Sequence, residues 1–317
     1  MSYLDLPNMS TLQIEKRPSM KYTPLDATTL EVNILKAIQE EIGETEESRT
    51  ECLRYLREKL KELEDIECCL DEGFLLKFLR VAKFDSEKAF DRIQGYYKMQ
   101  EKLTSLLKDT SIPISTIENM KYTFALPYRP EDNSAVAVIR MGIIDYSKIT
   151  FDGRSFLDIL STGYLLNNPI TQMCGITSIF DFNDFKFSSL LAVNPKTAFD
   201  YMYTVQKAFP LRIKAFHMVN TPFIFRAFYK LFYPAMSQKL RSRVHVHPND
   251  DNWKSLHNCI SPEILPEDLG GHLPKSSLID LLQNVESLSN DMLEQSRFGY
   301  KKTKHVRMSM KIIVPGK

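Results

Sequence analysis

From Arg49 the chain repeats leucines at helical spacing, and Leu53, Leu56, Leu60 and Leu63 fall on one stripe. Gly73 is expected to separate this helix from a second, Phe74 to Arg80. Ser86 offers an N-cap to a third, in which Ala89, Phe90, Ile93, Tyr96 and Tyr97 recur every three or four residues. The spacing thus predicts an all-helical N-terminal subdomain over residues 30–112. Residues 1–29 carry Pro7, Pro18 and Pro24 without an apolar period, the pattern of a loosely ordered arm.

After Pro113 the period changes. Ser134 to Ile144 reads as a strand buried on both faces. Residues 154–167 read as a helix with Phe156, Ile159, Leu160 and Tyr164 on one side, ended by Asn168-Pro169. Gly175 to Phe182 is a second strand. Asn194-Pro195 starts a helix that reaches about Ala208, and Leu211 to Val219 is a third strand. Strands alternating with helices predict an α/β domain with a largely parallel sheet over residues 113–282. Residues 283–317 are expected to form a C-terminal helix and a basic tail.

Pro222 to Met236 stands out because it is apolar nearly all round. On a helical wheel Ile224, Phe228 and Leu231 share one side, and Phe225, Tyr229 and Phe232 a neighbouring one. Arg226 and Lys230 mark the polar stripe. Such a helix is either central and buried on most sides, or has one face over an apolar cavity and the other free for a bilayer. Lys239, Arg241, Arg243, His245 and His247 then alternate with Leu240, Ser242, Val244 and Val246, while Arg212 and Lys214 stand in the third strand. This is the charge an anionic lipid headgroup requires, or else the guard of a solvated edge strand.

Composition narrows the class. With 317 residues, 43% of them apolar, the chain can bury a sizeable core. The 41 basic and 40 acidic residues, a net charge of +1, argue against a nucleic-acid binder. The five cysteines form no C-x-x-C pair, so neither a disulfide framework nor a zinc site is expected. There is no apolar run of the ~18 residues that span a membrane, and no signal peptide at the start. A cytoplasmic, monomeric protein with peripheral membrane contact is expected. No G-x-S-x-G, G-x-G-x-x-G or Walker A pattern is present. His245 and His247 alone are too few for a metal site, so no enzyme, metal or cofactor is expected.

Five segments in order, Phe74 to Asp85, Gly175 to Ser188, Phe209 to Phe225, Lys239 to His247 and Leu265 to Pro274, resemble the CRAL-TRIO lipid-binding family, and within it the members that carry tocopherol and retinaldehyde. The resemblance spans roughly Leu53 to Leu282. It implies a helical subdomain ahead of a lipid-binding α/β domain whose cavity is covered by a movable gate helix, Pro222 to Met236. Carried over residue by residue, it implies a pocket lined by Asp158, Thr162, Ile176, Ser178, Phe180, Phe209, Leu211, Ile213 and Phe225. It places a phosphatidylinositol bisphosphate headgroup at Arg212, Lys239 and Arg243, with Lys83 one position displaced from the family's fourth basic residue, where Ala82 stands. Ile224, Phe228 and Leu231, with Phe187 and Leu191 across the gate, match membrane-inserting positions. Asp158 departs from the serine of the tocopherol carrier, and a buried carboxylate needs a partner: a wet edge, or a hydroxyl or amine of the ligand. The implied function is a carrier that encloses one hydrophobic small molecule, a retinoid, tocopherol or similar lipid, and transfers it at anionic membranes. The alternative is a lipid-regulated protein-interaction module.

Overall fold

The computed structural model describes residues 22–107, 114–193, 195–223, 225, 229–230, 233–283, 285, 287–288, 294–295 and 297–301. Helices α1 (Val32–Ile42), α2 (Glu46–Lys61), α3 (Glu72–Ala82) and α4 (Ser86–Leu107) come first. Helix α2 starts at a capping box in which Thr45 and Ser48 each satisfy the other's backbone N–H. Its leucine stripe, Leu53, Leu56 and Leu60, is buried. Gly73 does not break the chain as the sequence suggested. The Asp71 carboxylate accepts the Phe74 N–H at 3.0 Å and caps α3, which takes Gly73 into its first turn. Asp85, not Ser86, caps α4, accepting the Lys88 N–H at 3.0 Å.

The helices are not a free-standing unit. Leu56, Leu75, Phe78 and Ile93 share one core with Tyr122, Phe156 and Leu160 of the α/β domain. Arg80, buried at that junction, donates to Glu44 at 2.7 and 2.9 Å and to Gln172 at 2.6 Å. Nor is the segment before α1 wholly loose. Leu25 N–H donates to the Pro127 carbonyl at 2.8 Å, and the Arg129 guanidinium grips the Leu25 carbonyl at 2.9 Å, so residues 22–30 are docked on the domain. Residues 1–21 lie outside the described residues. At the far end, β1 (Ile66–Glu67) pairs antiparallel with β8 (Gly299–Tyr300) and ties the helices to the last described residues.

The main sheet has six strands in the order β6-β5-β4-β3-β2-β7. Strands β3 (Ala135–Arg140), β4 (Ile176–Asp181), β5 (Ile213–Val219) and β6 (Val244–Val246) run parallel, and β2 (Thr123–Ala125) and β7 (Ile279–Asp280) are antiparallel additions at one side. The mixed α/β fold expected from the alternation is the one observed. Helix α5 (Ile114–Met120) leads into β2. Helix α6 (Phe151–Leu165), capped by Thr150, precedes α7 (Pro169–Cys174), whose N-cap is Asn168. Helices α8 (Phe187–Leu191) and α9 (Pro195–Lys207) lie between β4 and β5.

The two sheet faces have different fates. Val136, Val138 and Ile179 point into a packed core with Leu256, Ile264 and Leu269. Their alternates, Ala137, Ile139, Ile176, Ser178 and Phe180, line a cavity on the other face. In β5 the pairing slips beside Ile176 and Thr177, whose partners are Ile213 and Ala215. This bulge shifts the alternation by one, so Ile213 and Phe216 both face the cavity. Gly175 opens β4 at φ 88°, and a Cβ there would sit 2.3 Å from the Arg212 carbonyl oxygen. Only glycine permits that approach.

Candidate lipid cavity and basic cluster

The cavity has a volume of about 240 Å³ and lies between the sheet, α6, α9 and the segment that runs from Phe225 to Leu240. Asp158, Thr162, Ile176, Ser178, Phe180, Phe209, Leu211, Ile213 and Phe225 all contribute to its wall. A second set, including Tyr146, Arg154, Tyr201, Met202, Phe216 and Tyr229, lines the same cavity without a signal in the sequence that assigns it there. Met202 was visible as an apolar position of α9, but nothing in the one-dimensional pattern says which face of α9 looks inward. Phe216 required the bulge.

Asp158 needs neither a wet edge nor a ligand to be partnered. Arg154, one turn earlier on α6, meets it at 2.6 Å with both side chains about nine-tenths buried, and the Tyr122 hydroxyl donates to its other oxygen at 2.9 Å. Burial raises the Asp158 carboxyl above its usual range, and Arg154 and Tyr122 oppose that rise. Burial also raises the phenols of Tyr122 and Tyr201, helped by the Asp158 charge, so both stay protonated. Arg154 Nε is buried without a hydrogen-bond partner, and the Tyr201 hydroxyl makes no hydrogen bond among the described residues. A polar knot therefore sits in the wall of an otherwise apolar chamber.

The segment expected to form a gate is described at Phe225, Tyr229, Lys230 and from Tyr233 onward. Phe225, Tyr229 and Lys230 are helical and Tyr233–Ala235 forms a 3-10 turn. Phe225 packs on Phe182 with ring centroids 4.8 Å apart. Ile224, Phe228 and Leu231 lie outside the described residues. Phe187 and Leu191 are 59% and 75% exposed, and Phe223, which the sequence reading passed over, is 90% exposed.

The alternating basic run does not form one strand. Gln238–Arg241 is a short helix capped by Ser237, and only Val244–Val246 joins the sheet. Lys239 and Arg243 nevertheless end up together. Partial burial, then the like charges of Arg243, Lys83, Arg212 and Arg92, hold the Lys239 ammonium below its usual range. All the predicted headgroup residues thus share one field, with Arg92 as an unforeseen fifth member. Arg212 and Lys83 both pair with Glu41, at 3.0 and 3.1 Å. Burial alone would raise the Glu41 carboxyl, but those two hydrogen bonds bring it below its usual range. Arg243 donates to the Ile213 carbonyl and Arg212 to the Met173 carbonyl. Arg241 turns away, its guanidinium 4.2 Å over the Tyr233 ring. His247 is hydrogen-bonded to His217 at 2.9 Å, and among the described residues no group of three metal-ligating side chains is assembled.

Cluster and cavity share their elements. Arg212 stands between Leu211 and Ile213, and Lys239 beside Leu240, so one residue of each pair faces the charge cluster and its neighbour faces the chamber. The family model of the CRAL/TRIO domain matches residues 119–271, from the end of α5 through β2 to β6 and beyond. Over that stretch the chain is similar to the CRAL/TRIO domain. A human alpha-tocopherol transfer protein-like protein is 27% identical over 84% of this chain and 78% of its own length. Mouse clavesin-1 is 28% identical over 85% of this chain and 76% of its own. The crystal structure of Sfh5 is similar over 85% of this chain and 99% of that one, with 12% identity and a TM-score of 0.47. Against the CRAL/TRIO domain, α1 to α4 are an N-terminal extension that supplies Lys83 and Arg92 to the cluster. The family is one of lipid-binding and lipid-transfer proteins, and no helix among the described residues is long and apolar enough to cross a membrane.

Proposed function

We propose that this protein is a carrier that encloses one hydrophobic small molecule and hands it over at a membrane rich in phosphoinositide. The observation that carries the reading is the shared framework of cavity and basic cluster. Leu211 and Ile213 face the chamber on either side of Arg212, at the entry to β5, and the short helix Gln238–Arg241 gives Leu240 to the chamber and Lys239 to the cluster. Arg212, Lys239, Arg243 and Lys83 present more positive charge than Glu41 neutralises, and a bisphosphate would replace the missing counter-charge. Arginine grips phosphate oxygens with two parallel donors. Exposed Phe187, Leu191 and Phe223 offer apolar contact with the bilayer. The lid's open state is stabilised by that contact, so membrane docking shifts the population towards release. The name of the human relative, a tocopherol transfer-like protein, agrees with this reading. Tocopherol, a retinoid or another isoprenoid are the cargoes to try first. The chemistry is non-covalent and calls for no cofactor or turnover.

The test is release of a pre-loaded fluorescent lipid to vesicles with and without phosphatidylinositol bisphosphate. The bisphosphate should accelerate release, and the double variant Lys239→Ala, Arg243→Ala should abolish most of that acceleration while leaving cargo affinity in solution intact. Equal release rates for the two proteins would overturn the reading.

A further inference from the structure

We infer that the Arg154–Asp158 pair, with Tyr201 beside it, is a recognition site for a neutral hydroxyl group, so the cargo is an apolar alcohol rather than a fatty acid or a plain hydrocarbon. The inference rests on the carrier reading and narrows its cargo class. Three observations carry it.

The first is charge. Arg154 is matched by Asp158 at 2.6 Å and both are buried, so the pair is neutral as it stands. A carboxylate entering the chamber here would be a second anion for one cation. An uncompensated buried charge is costly, and the acid would have to enter protonated or be left out.

The second is the count of unfilled hydrogen-bonding positions. An ionised carboxylate accepts at about four lone-pair positions. Asp158 uses one oxygen for Tyr122 and the other for Arg154, and so keeps acceptor capacity. Tyr201 and Arg154 both line the chamber. The Tyr201 hydroxyl is without a partner among the described residues, and Arg154 Nε is buried without one. A hydroxyl group is the simplest ligand group that both donates, here to Asp158, and accepts, here from Tyr201. A hydrocarbon end does neither and leaves the knot dry.

The third is the remainder of the chamber. The wall beyond Asp158 is made of side chains such as Ile159, Leu165, Phe180, Phe209 and Phe225, with Thr162 one turn from Asp158 on the same helix. One polar end and a long apolar body are therefore what the shape of the chemistry admits. A small number of placed polar groups in an apolar wall is how such cavities fix orientation.

The experiment uses the full chain and two matched competition series: oleyl alcohol, oleic acid and octadecene; and phytol, phytanic acid and phytene. Each series is delivered equimolar from neutral phosphatidylcholine vesicles, and occupancy is read by native mass spectrometry. In at least one series the alcohol should exceed both its acid and its hydrocarbon by about tenfold, the worth of one buried hydrogen-bonding group left unpaired. Tyr201→Phe and Thr162→Val should each lower the alcohol-to-hydrocarbon ratio several-fold. Neither variant leaves an unpaired group inside the protein, so both should fold. Equal occupancy by all three members, or preference for the acid, overturns the hydroxyl site and leaves the carrier reading standing. No occupancy by any lipid of either series overturns both.

Discussion

Asp158 is the residue at which sequence and structure part most clearly. A carboxylate facing an apolar cavity suggested a ligand partner, because its one-turn neighbour Arg154 could not be told from any other surface arginine in a helix. The two lie at i and i+4, the spacing that brings side chains together, and in the structure they meet at 2.6 Å out of water. Removing one partner of such a pair leaves a buried charge. Asp158→Leu should therefore destabilise the protein by about 3–5 kcal/mol, whereas Arg154→Met with Asp158→Leu should restore most of that. Urea unfolding at neutral pH checks both. A single variant as stable as the double would show that Arg154 finds another partner or swings to solvent. The wall residues were named from the family resemblance, and of these Ile176, Ser178 and Phe180 also follow the alternation of β4. Tyr201 was not, since it stands on α9 while Arg154 and Asp158, whose charges it feels, stand on α6, and only the fold brings the two helices together.

Among the elements, strands β3, β4 and β5 were legible as apolar runs, each strand shorter than its run by two to five residues. The caps were less so, because an Asp before a helix competes with every nearby Ser, and Asp71 and Asp85 win here by geometry. The β4–β5 junction depends on Gly175. Gly175→Ala forces a Cβ against the Arg212 carbonyl at φ 88° and should cost more than about 2 kcal/mol. Because Arg212 belongs to the basic cluster, the same change should also weaken binding to phosphoinositide vesicles, measured by co-sedimentation. Strand β6 holds the sheet edge through His245 and the His217–His247 pair, whose rings stack on one another. Burial first, then the neighbouring His247 and His245 rings, push His217 down to about 4. An unfolded histidine titrates near 6.5, so below that pH the unfolded chain binds the extra proton and the folded chain does not. The stabilisation is complete above about pH 6.5, falls as pH drops and is exhausted below about pH 4; it amounts to up to about 3 kcal/mol. His217→Gln should flatten that part of the stability–pH curve, read from urea midpoints between those limits. An unchanged slope would move the acid sensitivity elsewhere.

On the scale of the whole molecule, basic side chains from distant segments gather into one cluster. The basic cluster takes Lys83 and Arg92 from the N-terminal helices and Arg212, Lys239 and Arg243 from the domain, a convergence no single segment could reveal. Helix α8, with Phe187 and Leu191 outward, follows Phe182 and Phe185, and Phe182 packs on Phe225 just after exposed Phe223. Apolar side chains left in water while the chain has a sizeable core to fill point to a second environment. Charge and insertion make separable contributions to docking there. The charge contribution is about 1 kcal/mol per basic residue near an anionic surface and fades with salt, whereas apolar insertion does not. Phe187→Asp with Leu191→Asp should therefore lower vesicle binding at every ionic strength, and Lys239→Ala with Arg243→Ala should lower it chiefly at low salt. Neither should change occupancy of the cavity by an apolar alcohol in solution, since Phe187, Leu191, Lys239 and Arg243 are not among the side chains that wall it. Co-sedimentation across a salt series, with native mass spectrometry on the same samples, separates the two. If the aspartate pair bound vesicles like the parent protein at high salt, the exposed apolar side chains would have no part in docking, and the lid would have to open by charge alone.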